Sequence, residues 1–150
     1  MGISDIETLG GPAPDRKQEP LMTQAGLLDY VIVTPARNEA QYIDLTIHSM
    51  IAQTHRPVRW VIVSDGSTDG TDDIVRKYLT KYPWIELLRT PERKERHFAG
   101  KVYAFNAGYA HVKALDFDVL GNLDSEVSFE PDHFEFLVAR MAENDRLGLA

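Results

Sequence analysis

The sequence predicts an α/β fold, a mostly parallel sheet with helices on both faces, and three observations carry that prediction. Short apolar runs rich in β-branched residues alternate along the chain with stretches whose apolar residues fall three and four apart. The first two such runs begin about thirty residues apart, the span of a β-α-β crossover between parallel neighbours. A chain of 150 residues with 43% hydrophobic residues can bury about two-thirds of its unfolded surface, which suits one globular domain.

Residues 1-27 hold Gly10-Gly11-Pro12-Ala13-Pro14 and a polar stretch with no sustained period, and read as a flexible leader to a domain over 28-150. The first strand runs from Tyr30 to Thr34 and ends at Pro35. Asn38, with Gln41 three residues on, fits a capping box for a helix that buries Ile43, Ile47, Met50 and Ile51. Arg59 to Ser64 is the second strand, and Ile74, Val75, Tyr78 and Leu79 mark the next helix. A third strand, Ile85 to Arg89, leads through a loop poor in apolar residues to a helix from Lys101 to about Lys113 that turns Val102, Phe105, Tyr109 and Val112 inward. Phe117 to Leu123 is the fourth strand, and Phe134, Leu137, Val138 and Met141 share a face of the last helix. Leu147-Gly148-Leu149-Ala150 reads as the start of a further strand, so the fold is expected to be truncated.

Composition closes off several functions. There is no cysteine, which excludes disulfides and thiolate metal sites and leaves Asp, Glu, His or backbone oxygen as ligands. A formal charge of -7 argues against a nucleic-acid partner, because phosphate backbones are held by clustered Lys and Arg. No apolar run approaches the roughly 20 residues that span a bilayer, and no secretory signal opens the chain. The default address is cytoplasmic, with the inner face of the membrane open to a full-length protein.

In open parallel sheets, ligands bind beyond the carboxyl ends of the strands. Those ends carry Pro35-Ala36-Arg37-Asn38-Glu39, Asp65-Gly66-Ser67-Thr68-Asp69-Gly70-Thr71, a basic loop with Arg93, Lys94, Arg96 and His97 ahead of Lys101, and Asp124-Ser125-Glu126. Neither a G-x-G-x-x-G turn nor a G-x-x-x-x-G-K-[ST] loop is present, so phosphate must be held by another device. A divalent cation on carboxylates would neutralise a diphosphate and the acidic rim together, and Asp124 and Glu126 are the best-placed pair. Taken alone, that pair is also what an ordinary polar strand exit looks like, and Asp69 or Thr71 reads as a cap for the next helix. Asp65-x-Ser67-x-Asp69-Gly70 imitates the start of a calcium loop, but its twelfth position is Arg76. The Asp-x-Asp-x-Thr signature of aspartyl-phosphate phosphatases fails as well, since the nucleophile's position holds Ser67, with Asp69 and Thr71 following, which removes the covalent intermediate. His48, His55 and His111 lack ligand spacing to one another, and the basic loop around His97 reads first as solvated chain, second as a segment that closes over a diphosphate or meets a lipid-phosphate acceptor.

With these residues placed, the chain from about Asp29 onward resembles the family 2 glycosyltransferases, inverting enzymes of the GT-A fold, a Rossmann-like sheet. Four blocks match in order: Val33 to Glu39, Val63 to Thr71, Gly100-Lys101-x-x-Ala104-x-Asn106-x-Gly108, and Leu123-Asp124-Ser125-Glu126 followed by Pro131. The resemblance implies that Pro35, Ala36, Arg37 and Glu39 border the nucleotide, that Asp65 hydrogen-bonds the base and that Lys101 lies near the nucleotide or its phosphates. It sets Asp124-Ser125-Glu126 in place of the family's Asp-x-Asp, with Asp124 at the ribose or metal and Glu126 on Mg or Mn. Glu126 is one methylene longer than the family's aspartate. The donor it implies is a nucleoside diphosphate sugar, with UDP the expected nucleotide, and the acceptor is a saccharide or a lipid-linked group. The family's general base falls beyond this stretch, so the 150 residues are expected to form an incomplete enzyme. Two other classes remain beside this reading: a nucleotide-sugar-binding module that never transfers, and a sugar nucleotidyltransferase, which would need a glycine-rich basic loop after the first strand.

Overall fold

The computed structural model describes residues 7–9, 26–92 and 99–148. Nine elements occur among them: strand β1 (Glu7–Leu9), β2 (Tyr30–Ala36), helix α1 (Ile43–Ile51), β3 (Arg59–Asp65), α2 (Thr71–Leu79), β4 (Ile85–Thr90), α3 (Ala99–Val112), β5 (Val119–Asn122) and α4 (His133–Glu143). They build one five-stranded sheet in the order β1-β4-β3-β2-β5. The four inner and later strands run parallel, and β1 lies antiparallel to β4 at one edge.

The side-chain period of two sorts β2 between two cores. Tyr30 and Ile32 join Ile43, Ile47 and Met50 of α1, Val75 of α2 and Phe134 and Val138 of α4. Val31 and Val33 turn the other way, with Val61, Val63 and Leu88, onto Ala104 and Val112 of α3. Helices therefore cover both faces, as the sequence predicts.

β2 continues two residues past Thr34, through Pro35. Val33 O accepts from Leu123 N at 3.1 Å, so the residue at 33, and by period the nitrogen of Pro35, faces β5. β5 has already ended at Asn122, and no ladder bond there needs the N–H that proline lacks.

Several expectations are corrected. Glu7–Leu9, inside the stretch read as a leader, pairs in register with Arg89, Leu88 and Leu87; the free edge of β4 offers unpaired backbone groups that a short strand satisfies. Residues 10–25 lie outside the described chain. Asn38 does not cap α1, which starts after Tyr42 with no side-chain cap bond. Residue 147 and Gly148 form no strand, and the last two residues lie outside the described chain.

The inward face of α3 also differs from the prediction. Gly100, Ala104, Gly108 and Val112 are its buried residues, while Val102 and Tyr109 are exposed. The reason is distance: α3 lies so close to the sheet that a Cβ at Gly108 would clash with Val33 and approach Val63 Cγ2 at 3.0 Å. Only a row of small residues at four-residue spacing permits that contact, and the larger apolar side chains are displaced outward. Trp60 and Trp84 are core residues whose rings stack at 6.5 Å, with Trp60 Nε1 donating to Thr34 Oγ1 at 2.8 Å.

Gly108→Ala tests that close approach. Alanine gains about 1 kcal/mol of helix propensity, but overpacking against β-branched side chains costs about 1–3 kcal/mol. Urea unfolding is expected to show a net loss of stability; a gain would mean that Val33 and Val63 yield.

Candidate functional site

The register of β2 on β3 sets Ala36 beside Ser64, so the chain segments that follow leave the sheet side by side. Four hydrogen bonds clasp them. Asn38 N donates to Ser67 Oγ at 3.1 Å, Glu39 N to Thr71 Oγ1 at 2.9 Å, Ala40 N to Asp69 Oδ2 at 3.0 Å, and Thr68 N to Asn38 Oδ1 at 2.9 Å. Asp69 Oδ1 accepts in addition from Thr71 N at 3.0 Å and from the Thr71 hydroxyl at 2.5 Å. Although burial works against its charge, the Thr71 hydroxyl and the amides of Ala40 and Thr71 hold the Asp69 carboxyl below the usual range. Asn38 sits at φ 56°, a left-handed conformation that asparagine tolerates better than most residues.

Asp65 closes β3 and is almost fully buried. Thr90 Oγ1, at the end of neighbouring β4, donates to its Oδ1 at 2.9 Å, and Arg37 Nη1 lies 3.8 Å from Oδ2. Behind it the chain must turn at once, and Gly66 does so at φ 63° where a Cβ would stand 2.6 Å from Glu92 Cα. Two constraints, the sign of φ and the missing space, demand glycine there.

Pro35, Ala36, Arg37, Glu39, Asp65, Lys101, Asp124, Ser125 and Glu126, the residues singled out from the sequence, all line one cleft of about 200 Å³, together with Gly100 and Ala104. The first four come from the end of β2 and its loop, Asp65 from β3, Lys101 from the first turn of α3, and the last three from the loop after β5. Lys101 forms an ion pair with Asp124 across the cleft. Burial, then repulsion by Glu126 and Asp69, pushes the Glu39 carboxyl above its ordinary value, against a hydrogen bond from Ser125 and the attraction of Lys101. Four carboxylates thus face two cationic side chains in one cleft, a balance that disfavours a diphosphate unless positive charge arrives with it.

Carboxylate oxygens suit Mg or Mn. Among the described residues no group of three acidic or histidine side chains is arranged to hold a metal by itself. A magnesium-type site takes one or two carboxylates and completes its shell with substrate phosphates and water. The histidines stand elsewhere: His55 meets Leu28 O at 3.0 Å, His111 meets Glu86, and His48 lies beside Asp44 and Tyr78. Arg89, within β4, is tied to Asp72 and to Ser67 O, while residues 93–98 of the basic loop, including His97, lie outside the described chain.

The sequence reading missed Thr90, which orients Asp65, and the clasp made by Asn38, Ser67, Asp69 and Thr71. Their signal was present as polar residues crowded into two loops, but helix capping accounted for them equally well. It also missed Thr46, a polar residue on the apolar face of α1 that is fully buried.

Residues 31–149 match the model of glycosyl transferase family 2. The chain belongs to that family. An uncharacterised glycosyltransferase of Nostoc sp. is 30% identical over 112 residues, covering 75% of this chain and 32% of the relative. A dolichyl-phosphate β-glucosyltransferase of Trichomonas vaginalis is 28% identical over 137 residues, covering 84% of this chain and 38% of the relative. The chain thus spans about a third of the length of these relatives. Among solved structures, a mannosyltransferase of Pyrobaculum calidifontis in complex with GDP-Man and Mn2+ superposes with a TM-score of 0.65 at 21% identity, over 77% of this chain and 33% of that one. TarS of S. aureus, residues 1-349 in complex with UDP-GlcNAc, gives 0.62 at 19%, over 78% and 32%. These likenesses establish the GT-A fold for the family 2 chain described here.

Asn38→Ala removes both the tolerated left-handed residue and the bond to Thr68, and is expected to cost about 1–2 kcal/mol in urea unfolding. Asn38→Gly, which keeps the backbone conformation, is expected to cost less. Equal stability of Asn38→Ala and the parent chain would show that the clasp does not constrain the loops.

Proposed function

We propose that this family 2 chain forms the donor-binding portion of an inverting glycosyltransferase that uses a nucleoside diphosphate sugar, UDP-linked by expectation, with a divalent cation. The observation that supports this most is the convergence of nine residues from four separate segments on one cleft with an excess of carboxylates. Asp65, oriented by Thr90, accepts from an N–H of the base. Pro35, Ala36, Arg37 and Glu39 border the nucleotide on one side and Ser125 on the other. Lys101, whose ammonium pairs with Asp124, is in reach of a diphosphate in the same cleft. Asp124 and Glu126 are the residues that would hold Mg or Mn, which when bound neutralises the diphosphate and stabilises it as it departs.

Transfer needs an acceptor hydroxyl, of a saccharide or a lipid-linked group, and a base to take its proton. We assign that base to no residue of these 150. The named activity of the Trichomonas relative, on dolichyl phosphate, makes a lipid-linked acceptor at the inner face of a membrane a reasonable extension. No helix among the described residues is long and apolar enough to cross a membrane, so such an association by this portion would be peripheral.

Two variants separate the parts of this reading. Asp65→Ala is expected to weaken UDP binding about tenfold or more with and without manganese, the loss of a hydrogen bond to a charged group. Glu126→Ala is expected to keep metal-free affinity within about twofold while removing the manganese-dependent gain. Isothermal titration reads both, with circular dichroism confirming the fold. Equal, metal-independent losses at both positions would contradict the assignment.

A further inference from the structure

The turn that carries Glu126 has no strand or helix to hold it, so its backbone groups must find partners elsewhere. They find them on α1. Thr46 and Ser49 stand three apart on one side of the helix, Gln53 follows two residues past its end, and the chain after β5 runs along them. Gln53 Nε2 donates to Glu130 O at 2.8 Å and its Oε1 accepts from Phe134 N at 3.0 Å. Ser49 Oγ accepts from Phe129 N at 3.4 Å. Thr46 heads the row: its Oγ1 accepts from Val127 N at 3.1 Å and shares its one proton between Ser125 O at 2.9 Å and Val127 O at 2.8 Å.

The carbonyl of Ser125 and the amide of Val127 belong to the two peptide planes that flank the Cα of Glu126. One hydroxyl therefore restrains both backbone torsions of that residue. Thr46 is completely buried, its hydroxyl is saturated, and its place on an apolar helix face would otherwise call for an aliphatic side chain. Held torsions fix the direction in which the Cα–Cβ bond of Glu126 leaves the backbone, and Glu126 lines the cleft.

We propose that Thr46 is a positioning residue for the cation end of the cleft, acting through the backbone of Glu126; this rests on the donor-binding reading given above. Support of this kind around a metal ligand is worth about 10–100-fold in metal affinity. Thr46→Val keeps the shape and removes the hydroxyl. In titrations of the 150-residue chain with UDP, the variant is expected to retain metal-free affinity within about twofold and to lose about tenfold of the manganese-dependent gain. Thr46→Ser is expected to restore that gain, and Ser49→Ala, which alters the row away from Glu126, to leave it unchanged. A Thr46→Val chain that keeps the full gain, or one whose metal-free and metal-dependent binding fall together, overturns the proposal while leaving the donor-binding reading in place. A folded parent chain that binds no nucleotide overturns the donor-binding reading and this inference with it. Hydrogen exchange on the parent chain needs no variant to fold: UDP with magnesium should slow exchange at the Val127 amide more than at the Phe129 amide, and equal effects would count against Thr46.

Discussion

The parallel pairing of β2 with β3 is the constraint on which the site depends. Its register, Ala36 opposite Ser64, makes the two loops leave the sheet as neighbours, and the clasp of Asn38, Glu39 and Ala40 with Ser67, Thr68, Asp69 and Thr71 then fixes one against the other. A slip of one residue would turn Val31 and Val33 out of their core and part the loops at once. The same pairing brings Arg37 close to Asp65, and the pairing of β3 with β4 sets Thr90 opposite it. Thus hydrophobic sorting of side chains above and below the sheet determines where a buried carboxylate faces the cleft.

Charge sets the second constraint. Glu39, Asp65, Asp124 and Glu126 share a cleft with Arg37 and Lys101, and the raised protonation range of Glu39 records the repulsion by Glu126 and Asp69 on top of burial. The protein tolerates this because Ser125, Lys101, Thr90 and Arg37 each take part of the load. An arrangement that sets four carboxylates against two cationic side chains suits a site in which cation and diphosphate arrive together, each favouring the other. The Lys101–Asp124 pair is well placed to part at that moment, the lysine turning to phosphate.

Much of this was legible in the sequence. The four parallel strands, the four helices and every proposed cleft residue follow from apolar periodicity, from the rule that ligands bind at the carboxyl ends of parallel strands, and from the order of four blocks resembling a family. What escaped was whatever depends on distance between segments far apart in the chain. Val102 and Tyr109 obey a helical period, yet only the approach of α3 to Val33 and Val63 decides that Gly108 faces inward instead. Asn38 carries the chemistry of a helix cap, and only the neighbouring loop shows that Thr68 receives its side chain. Thr46 is a polar residue where the periodicity calls for an apolar one, a signal that has no meaning until the turn at Glu126 is laid against it. Glu7–Leu9 lacks a pattern because three residues at a sheet edge need none.

The central claim is that the cleft binds a nucleoside diphosphate together with a divalent cation. Calorimetric titration of the parent chain with UDP, GDP and a dinucleotide control, each with and without manganese, tests it most directly. The account predicts binding of a nucleoside diphosphate that manganese strengthens, with no comparable binding of the dinucleotide. A folded chain that binds none of them, or binds them alike whether or not manganese is present, would contradict it.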